Sequence, residues 1–178
     1  MDSLKKVMLE FLSYLDKERG FSSHTIKAYQ TDLNRFILFL TQEENKSNFK
    51  LVTRHTIRNY LGTEFDEGFS SKTVARRLAS IKSLFKYLMR SEQISDNPAI
   101  HVKSPKISQT LPNFIDEKVI DTLMESPDVS TSKGMRDRAI LELFYSTGIR
   151  LSELIALDID SIDPQNQLAK VHGKGDKE

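Results

Sequence analysis

The sequence predicts a mainly α fold in two parts. Residues 1–96 read as a four-helix unit, residues 97–112 as a linker, and residues 113–178 as the opening of a mixed α/β unit that ends before its fold is complete. Three observations lead there. Apolar residues recur at helical spacing through the first ninety positions. The stretch NPAIHVKSPKISQTLP then holds three prolines and no periodicity, as a linker does. After residue 157 the pattern shifts to turn residues around one short apolar run, and a strand that enters a turn without a returning strand is not a finished sheet.

Each element has its own signal. Leu4, Met8, Phe11, Leu12 and Leu15 share one helical face, and Gly20 closes that helix. Ser22 or Ser23 caps a second helix whose stripe is Ile26, Tyr29, Leu33, Phe36, Ile37 and Leu40. Beyond the polar loop EENKSN, Thr53 caps a third with Ile57, Tyr60, Leu61 and Phe65, and Ser70 or Ser71 opens a fourth that runs to about Arg90. Asp116 caps EKVIDTLMES. A helix over about residues 132–147 groups Ala139, Ile140, Leu143, Phe144 and Thr147, and Gly148 follows where a helix end favours a left-handed residue. LSELIAL reads as a further helix, residues 164–166 as a turn, residues 168–172 as a strand, and Gly173 and Gly175 as brackets of a second turn around Lys174.

Composition removes several function classes. No apolar run approaches the roughly 20 residues that span a bilayer, and the first thirty residues lack the apolar core and cleavage site of a secretion signal. The expectation is a soluble cytoplasmic protein without a membrane partner. The absence of cysteine excludes disulfides, a thiolate nucleophile and a thiolate zinc site. His24, His55, His101 and His172 have no metal-ligand spacing and read as surface or loop residues. The net charge of +1 hides an asymmetry: residues 1–111 carry 18 Lys and Arg against 12 Asp and Glu, whereas residues 112–178 carry 8 against 13. A basic half suggests a polyanion, although solvated helix faces are also often basic.

The fourth helix sharpens that choice. With Lys72 at zero and about 100° per residue, Val74, Leu78, Ile81, Leu84, Phe85 and Leu88 fall between about 120° and 240°. Lys72, Arg76, Lys86 and Arg90 lie within about 40° of zero, with Lys82 at the edge. Ala79 and Ser83 sit among them and Ser80 flanks them, so the backbone can approach a groove while the cations reach phosphates or base edges. No carboxylate interrupts the stripe, whereas a solvated face usually mixes signs in i,i+4 pairs.

The segment YSTGIRLSELIAL places Arg150 between a glycine and an apolar run, and a guanidinium withdrawn from water there needs a partner. Together with GKGDKE about two dozen positions later, it resembles the tyrosine recombinases, most closely the Xer-type site-specific recombinases. FSSHTIKAYQTDL and SSKTVARRLASIKSLFKYL resemble the second and fourth helices of that family's core-binding (SAM-like) domain. NPA followed by LP resembles its linker, RDRAILELFYSTGIRLSELIAL its first catalytic box, and VHGKGDKE the hairpin that carries its catalytic lysine.

The resemblance implies strand exchange on a double-stranded DNA recombination site through a 3′-phosphotyrosyl intermediate. It implies no metal or nucleotide cofactor, and further recombinase subunits in a tetrameric synapse. Arg150 is then the first catalytic arginine and Lys174 the catalytic lysine, with Glu153 orienting Arg150 from behind. Thr25, Lys27 and Tyr29 on the second helix and Lys72, Thr73, Arg76 and Lys82 on the fourth become DNA contacts. The chemistry suits those residue types: parallel guanidinium donors hold charge building on non-bridging phosphate oxygens, and an ammonium protonates the departing 5′-oxygen. Other readings stand beside these. Arg150 and Glu153 form a structural pair, Lys174 is a plain turn lysine, or Lys177 is the acid. A phosphate-binding loop is excluded because no G-x-x-x-x-G-K-[ST] precedes a helix.

The family's His-x-x-Arg box, its further histidine or tryptophan and its late tyrosine are not among residues 1–178, and Tyr14, Tyr29, Tyr60, Tyr87 and Tyr145 all precede Arg150. The expectation is therefore a fragment that binds DNA without cleaving it. A stand-alone DNA-binding regulator or accessory protein is the alternative, and a helical protein-interaction domain a third.

Overall fold

The computed structural model describes residues 2–108, 114–166 and 168–171. The chain divides into two units, residues 1–110 and 111–178. In the first, four helices form along the apolar stripes, α1 (Asp2–Lys17), α2 (Ser23–Gln42), α3 (Arg54–Asp66) and α4 (Ser71–Arg90), and before each of the last three a hydroxyl takes up a free N–H group. Of the paired candidates, Ser22 and Ser70 are the caps. Their hydroxyl oxygens accept from the backbone N–H of Thr25 at 3.4 Å and of Thr73 at 3.3 Å. At α3 the capping is reciprocal, Thr56 N–H donating to Thr53 Oγ1 at 3.2 Å and Thr53 N–H to Thr56 Oγ1 at 3.4 Å.

The stripes meet in one core. Leu4, Phe11, Leu33, Phe36, Leu40, Ile57, Leu78, Leu84 and Phe85 are fully buried, each such side chain contributing about 1.5–3 kcal/mol. Tyr60 packs against Phe36 and Phe39 with ring centroids 5.0 and 5.3 Å away, and Phe49, on a 3₁₀ turn after the polar loop, meets Phe85 edge-on. Two departures from the sequence expectation matter. Phe65, expected on the α3 stripe, is exposed, and Glu64 beside it is buried. Ala99 and Val102, from the proline-bearing stretch, are buried with this core, so that stretch starts out seated on the first unit.

In the second unit α5 (Glu117–Glu125) is capped by Asp116, whose Oδ1 accepts from Lys118 N–H at 2.9 Å. α6 (Ser132–Thr147) is capped by Thr131, and there Gly134 is required: a Cβ on it would lie 1.9 Å from the carbonyl oxygen of Asp128. Gly148 ends α6 with φ 64° and donates its N–H to Phe144 O, the left-handed cap its position predicts. α7 (Leu151–Ile155) follows, then a 3₁₀ turn and a short antiparallel hairpin. Strand β1 (Ile162–Asp163) pairs with β2 (Leu168–Ala169), Ile162 opposite Ala169. The strand partner of Leu168 is thus upstream, across the expected turn, where Asp163 Oδ1 accepts from the N–H of Gln165 and Asn166. Strand geometry stops at Ala169, short of the expected span over 168–172; position 172 is outside the described residues. Among the described residues of this unit only Gly134 is buried, and Ile155, Ile159 and Phe114 are among the most exposed apolar side chains. No helix among the described residues is long and apolar enough to cross a membrane.

Candidate nucleic-acid interface and catalytic arginine

The outer face of α4 carries Lys72, Arg76, Ala79, Lys86 and Arg90, all exposed, with Lys82 and Ser83 half-buried beside them. The small residues leave the helix backbone open between long cations, as a groove-facing helix requires. These cations are not equivalent. Among the described residues Lys72, Lys82 and Lys86 form no ion pair. Arg90 Nη1 donates to Tyr14 Oη at 3.0 Å, and Arg76 Nη1 donates to Asp32 Oδ2 of α2 at 2.5 Å. The α4 stripe does therefore meet a carboxylate, supplied by another helix.

The candidates on α2 are placed differently. Lys27 is exposed. The hydroxyls of Thr25 and Thr73 are engaged at their helix caps, 2.9 Å from Ser22 Oγ and 3.1 Å from Ser70 Oγ respectively. Tyr29 is half-buried between Phe11 and Phe21, at 5.9 and 6.1 Å between ring centroids, so its ring contributes to packing. Among the described residues no hydrogen bond or ion pair joins Thr25, Lys27 or Tyr29 to Lys72, Thr73, Arg76 or Lys82.

Behind the cationic face runs a line of charge that the sequence reading misses. Asp32, Glu64 and Arg77 are buried. Arg77 pairs with Glu64 and lies 4.0 Å from Asp32, Glu64 also accepts from Arg35 Nε at 2.6 Å, and Arg35 reaches on to Glu67. The Phe69 ring lies under both guanidiniums, at 4.0 Å from Arg77 and 4.7 Å from Arg35. A signal existed: Arg77 falls about 140° from Lys72 on the helical projection, inside the apolar arc. Nearby, the Tyr60 hydroxyl is buried without a hydrogen-bond partner among the described residues, and burial pushes its pKa up to about 12.

In the second unit Arg150 is the residue before the first turn of α7, the N-cap position. Glu153, one turn on, accepts from the backbone N–H of Arg150 at 2.9 Å and from its Nη1 at 2.8 Å. The backbone N–H first, and then the guanidinium, hold the Glu153 carboxyl below the usual carboxylate range. The Arg150 side chain is nonetheless 75% exposed, so the rest of its donor fork faces outward while one nitrogen is fixed. That arrangement can present parallel donors to an anion. Lys174 and the competing Lys177 lie outside the described residues. Tyr145, on α6, is exposed, whereas Tyr14 and Tyr87 stack with each other at 5.0 Å.

The fold matches that of solved integrases. The structure of a lambda integrase tetramer bound to a Holliday junction aligns over 97% of this chain and 48% of its own, with a TM-score of 0.74 at 16% identity. That of the Tn1549 transposon integrase in complex with circular intermediate DNA aligns over 95% and 56%, with a TM-score of 0.64. In sequence, residues 9–92 match the N-terminal SAM-like domain of phage integrases, and residues 113–178 match the phage integrase family itself. The chain belongs to that family, the tyrosine recombinases. Tyrosine recombinase XerC of Myxococcus xanthus is 44% identical over the whole chain, and tyrosine recombinase XerD of Staphylococcus haemolyticus 35% identical over 98% of it. The chain spans about three fifths of the length of these relatives, 59% in both cases.

Proposed function

We propose that this chain carries the DNA-binding domain and the beginning of the catalytic domain of an Xer-type site-specific recombinase, acting in the cytoplasm on double-stranded DNA. Residues 1–96 are the core-binding domain, 97–112 the connection and 113–178 the start of the catalytic domain. Kinship with XerC and XerD proteins along the full chain supports this reading, and one structural observation carries it: Glu153 holds both the backbone N–H and one guanidinium nitrogen of Arg150, leaving the other donors of that side chain without a protein partner among the described residues.

In the reaction, a tyrosine hydroxyl attacks the scissile phosphorus, the bond to the 5′-oxygen breaks, and a 3′-phosphotyrosine forms. Arg150, held by Glu153, stabilises the charge on the non-bridging oxygens, and Lys174 delivers the proton that the 5′-oxygen takes as it leaves. The hydroxyl that attacks is not among the five tyrosines of residues 1–178. Tyr14, Tyr29, Tyr60 and Tyr87 take part in aromatic packing, and Tyr145 is in the last turn of α6, ahead of the arginine. The 178 residues by themselves bind duplex DNA reversibly and form no covalent adduct. Incubation with a labelled nicked suicide duplex, followed by a denaturing gel, tests this. A native complex that dissolves on denaturation is expected, and a protein–DNA band that survives would place a nucleophile within these residues.

A further inference from the structure

Asp32 is only 2% exposed, yet the guanidinium closest to it belongs to Arg76, a side chain half in solvent. Its Oδ2 accepts from Arg76 Nη1 at 2.5 Å and from Ser80 Oγ at 2.8 Å. On its inner side Asp32 faces Arg77, which Glu64 holds in turn. Two donors share Oδ2, the Arg77 charge lies behind the other oxygen, and the buried carboxylate therefore cannot follow a moving arginine outward. Among the described residues Arg76 is therefore the end of this charge line that emerges on the α4 face, with a single nitrogen anchored and the other donors of its planar fork free to point away from the protein.

A pinned guanidinium and a mobile ammonium suit different acceptors. The fork, fixed in advance, loses little freedom when it meets two acceptors side by side, and the O6/N7 edge of guanine in the major groove is such a pair. Lys72 and Lys86, unpinned point charges on the same face, suit phosphate oxygens, which any sequence offers. We propose that Asp32 is a positioning residue that fixes Arg76 as the base-reading arginine of α4, so that preference for guanine at one position of the bound duplex depends on a carboxylate that never touches DNA. The inference rests on the reading of α4 as the DNA-facing helix.

The test uses a pool of randomised duplex DNA, selected by the full chain and by single variants, followed by affinities for the enriched duplex and for each single-base change in it. For the parent, one G·C pair is expected whose replacement weakens binding about tenfold. Arg76→Lys and Asp32→Asn are expected to lose that preference at the same pair while still binding duplex, and in the double variant the two losses are not additive. Lys72→Ala is expected to weaken every duplex alike and leave the preference in place. A folded Asp32→Asn protein that keeps the parent preference overturns the proposal, as does Arg76→Lys with unchanged selectivity. If circular dichroism shows that Asp32→Asn does not fold, Ser80→Ala, which removes a donor from the same carboxylate oxygen, decides: a preference weakened several-fold supports the proposal and an unchanged one refutes it. A parent chain that retains no duplex at all refutes the DNA-facing reading itself, an outcome distinct from binding without guanine preference.

Discussion

Replacing Glu64 by alanine isolates the energetic weight of the buried charge line. The Glu64 side chain is 1% exposed and serves two arginines at once, Arg35 Nε at 2.6 Å and Arg77. Without it Arg35 can still turn to Glu67 and solvent, but Arg77, 11% exposed, keeps only the Phe69 face and Asp32 at 4.0 Å. Stranding one partner of a buried pair costs about 3–5 kcal/mol, a large part of the roughly 5–15 kcal/mol that holds a domain together. At about 4 °C per kcal/mol for a unit of this size, the midpoint should fall by on the order of 12–20 °C. Glu67→Ala is the internal comparison, since Glu67 touches the same Arg35 from a position 47% exposed and should cost no more than about 1 kcal/mol. Replacing Glu64 and Arg77 together by leucine and methionine should recover most of the loss, because the uncompensated charge is then gone. Thermal and urea unfolding followed by far-ultraviolet circular dichroism measure all three. A Glu64→Ala protein within about 1 kcal/mol of the parent would mean that water reaches Arg77 and that the line is not a buried network.

Other consequences are more local. The buried Tyr60 hydroxyl, with its pKa at about 12, stays neutral in the folded chain after it has ionised in the unfolded one. Stability should therefore be intact below about pH 10 and fall between about pH 10 and 12, and Tyr60→Phe should remove that part of the alkaline slope, read from unfolding midpoints against pH. Arg76→Ala and Lys82→Ala should weaken duplex binding more than substitution of the exposed Lys50 by alanine, since Lys50 belongs to the 3₁₀ turn and not to the outer face of α4, a lost base-edge contact costing about 1–3 kcal/mol; gel-shift affinities show whether all three behave alike, which would remove α4 from the interface. In a chain continued by a His-x-x-Arg box and a tyrosine nucleophile, Arg150→Ala should abolish cleavage of a suicide duplex and leave binding largely intact, and cleavage within about tenfold of the parent would contradict its role. In the same setting Lys174→Ala should cleave slowly and be rescued by a 5′-thiol leaving group, which departs without a proton, and failure of that rescue points to Lys177.

The sequence carries α2, α3, α4 and α5 because each is specified twice, by an apolar period and by a hydroxyl or carboxylate cap. Ser22, Thr53, Ser70 and Asp116 all sit one residue before their helix begins, and Gly148 takes the left-handed geometry that its position after α6 demands. The Arg150–Glu153 contact is readable for a similar reason, since three residues of spacing across a helix start place the two side chains together. What escapes is decided by tertiary pairing. A projection of α3 puts Glu64 nearer the centre of the Ile57–Tyr60–Leu61 arc than Phe65, but a carboxylate there makes sense only once Arg35 and Arg77 arrive from α2 and α4. Arg77 is hidden for the same reason, and with it the difference between an anchored Arg76 and its unanchored lysine neighbours. The β1 strand escapes through length, because two residues show no alternation and their pairing with Leu168 and Ala169 is settled across the turn.

DNA binding by this chain requires that the cationic face of α4 meet a polyanion. Affinity of the chain for a duplex, measured by fluorescence anisotropy across a range of salt concentrations, tests that most directly. The logarithm of the association constant should fall linearly with the logarithm of salt concentration, at roughly −0.9 per phosphate neutralised, and the slope should become about one unit shallower in Lys72→Ala or Lys86→Ala. An affinity that does not change with salt, or a slope that neither substitution alters, would show that this face is not where the protein meets DNA.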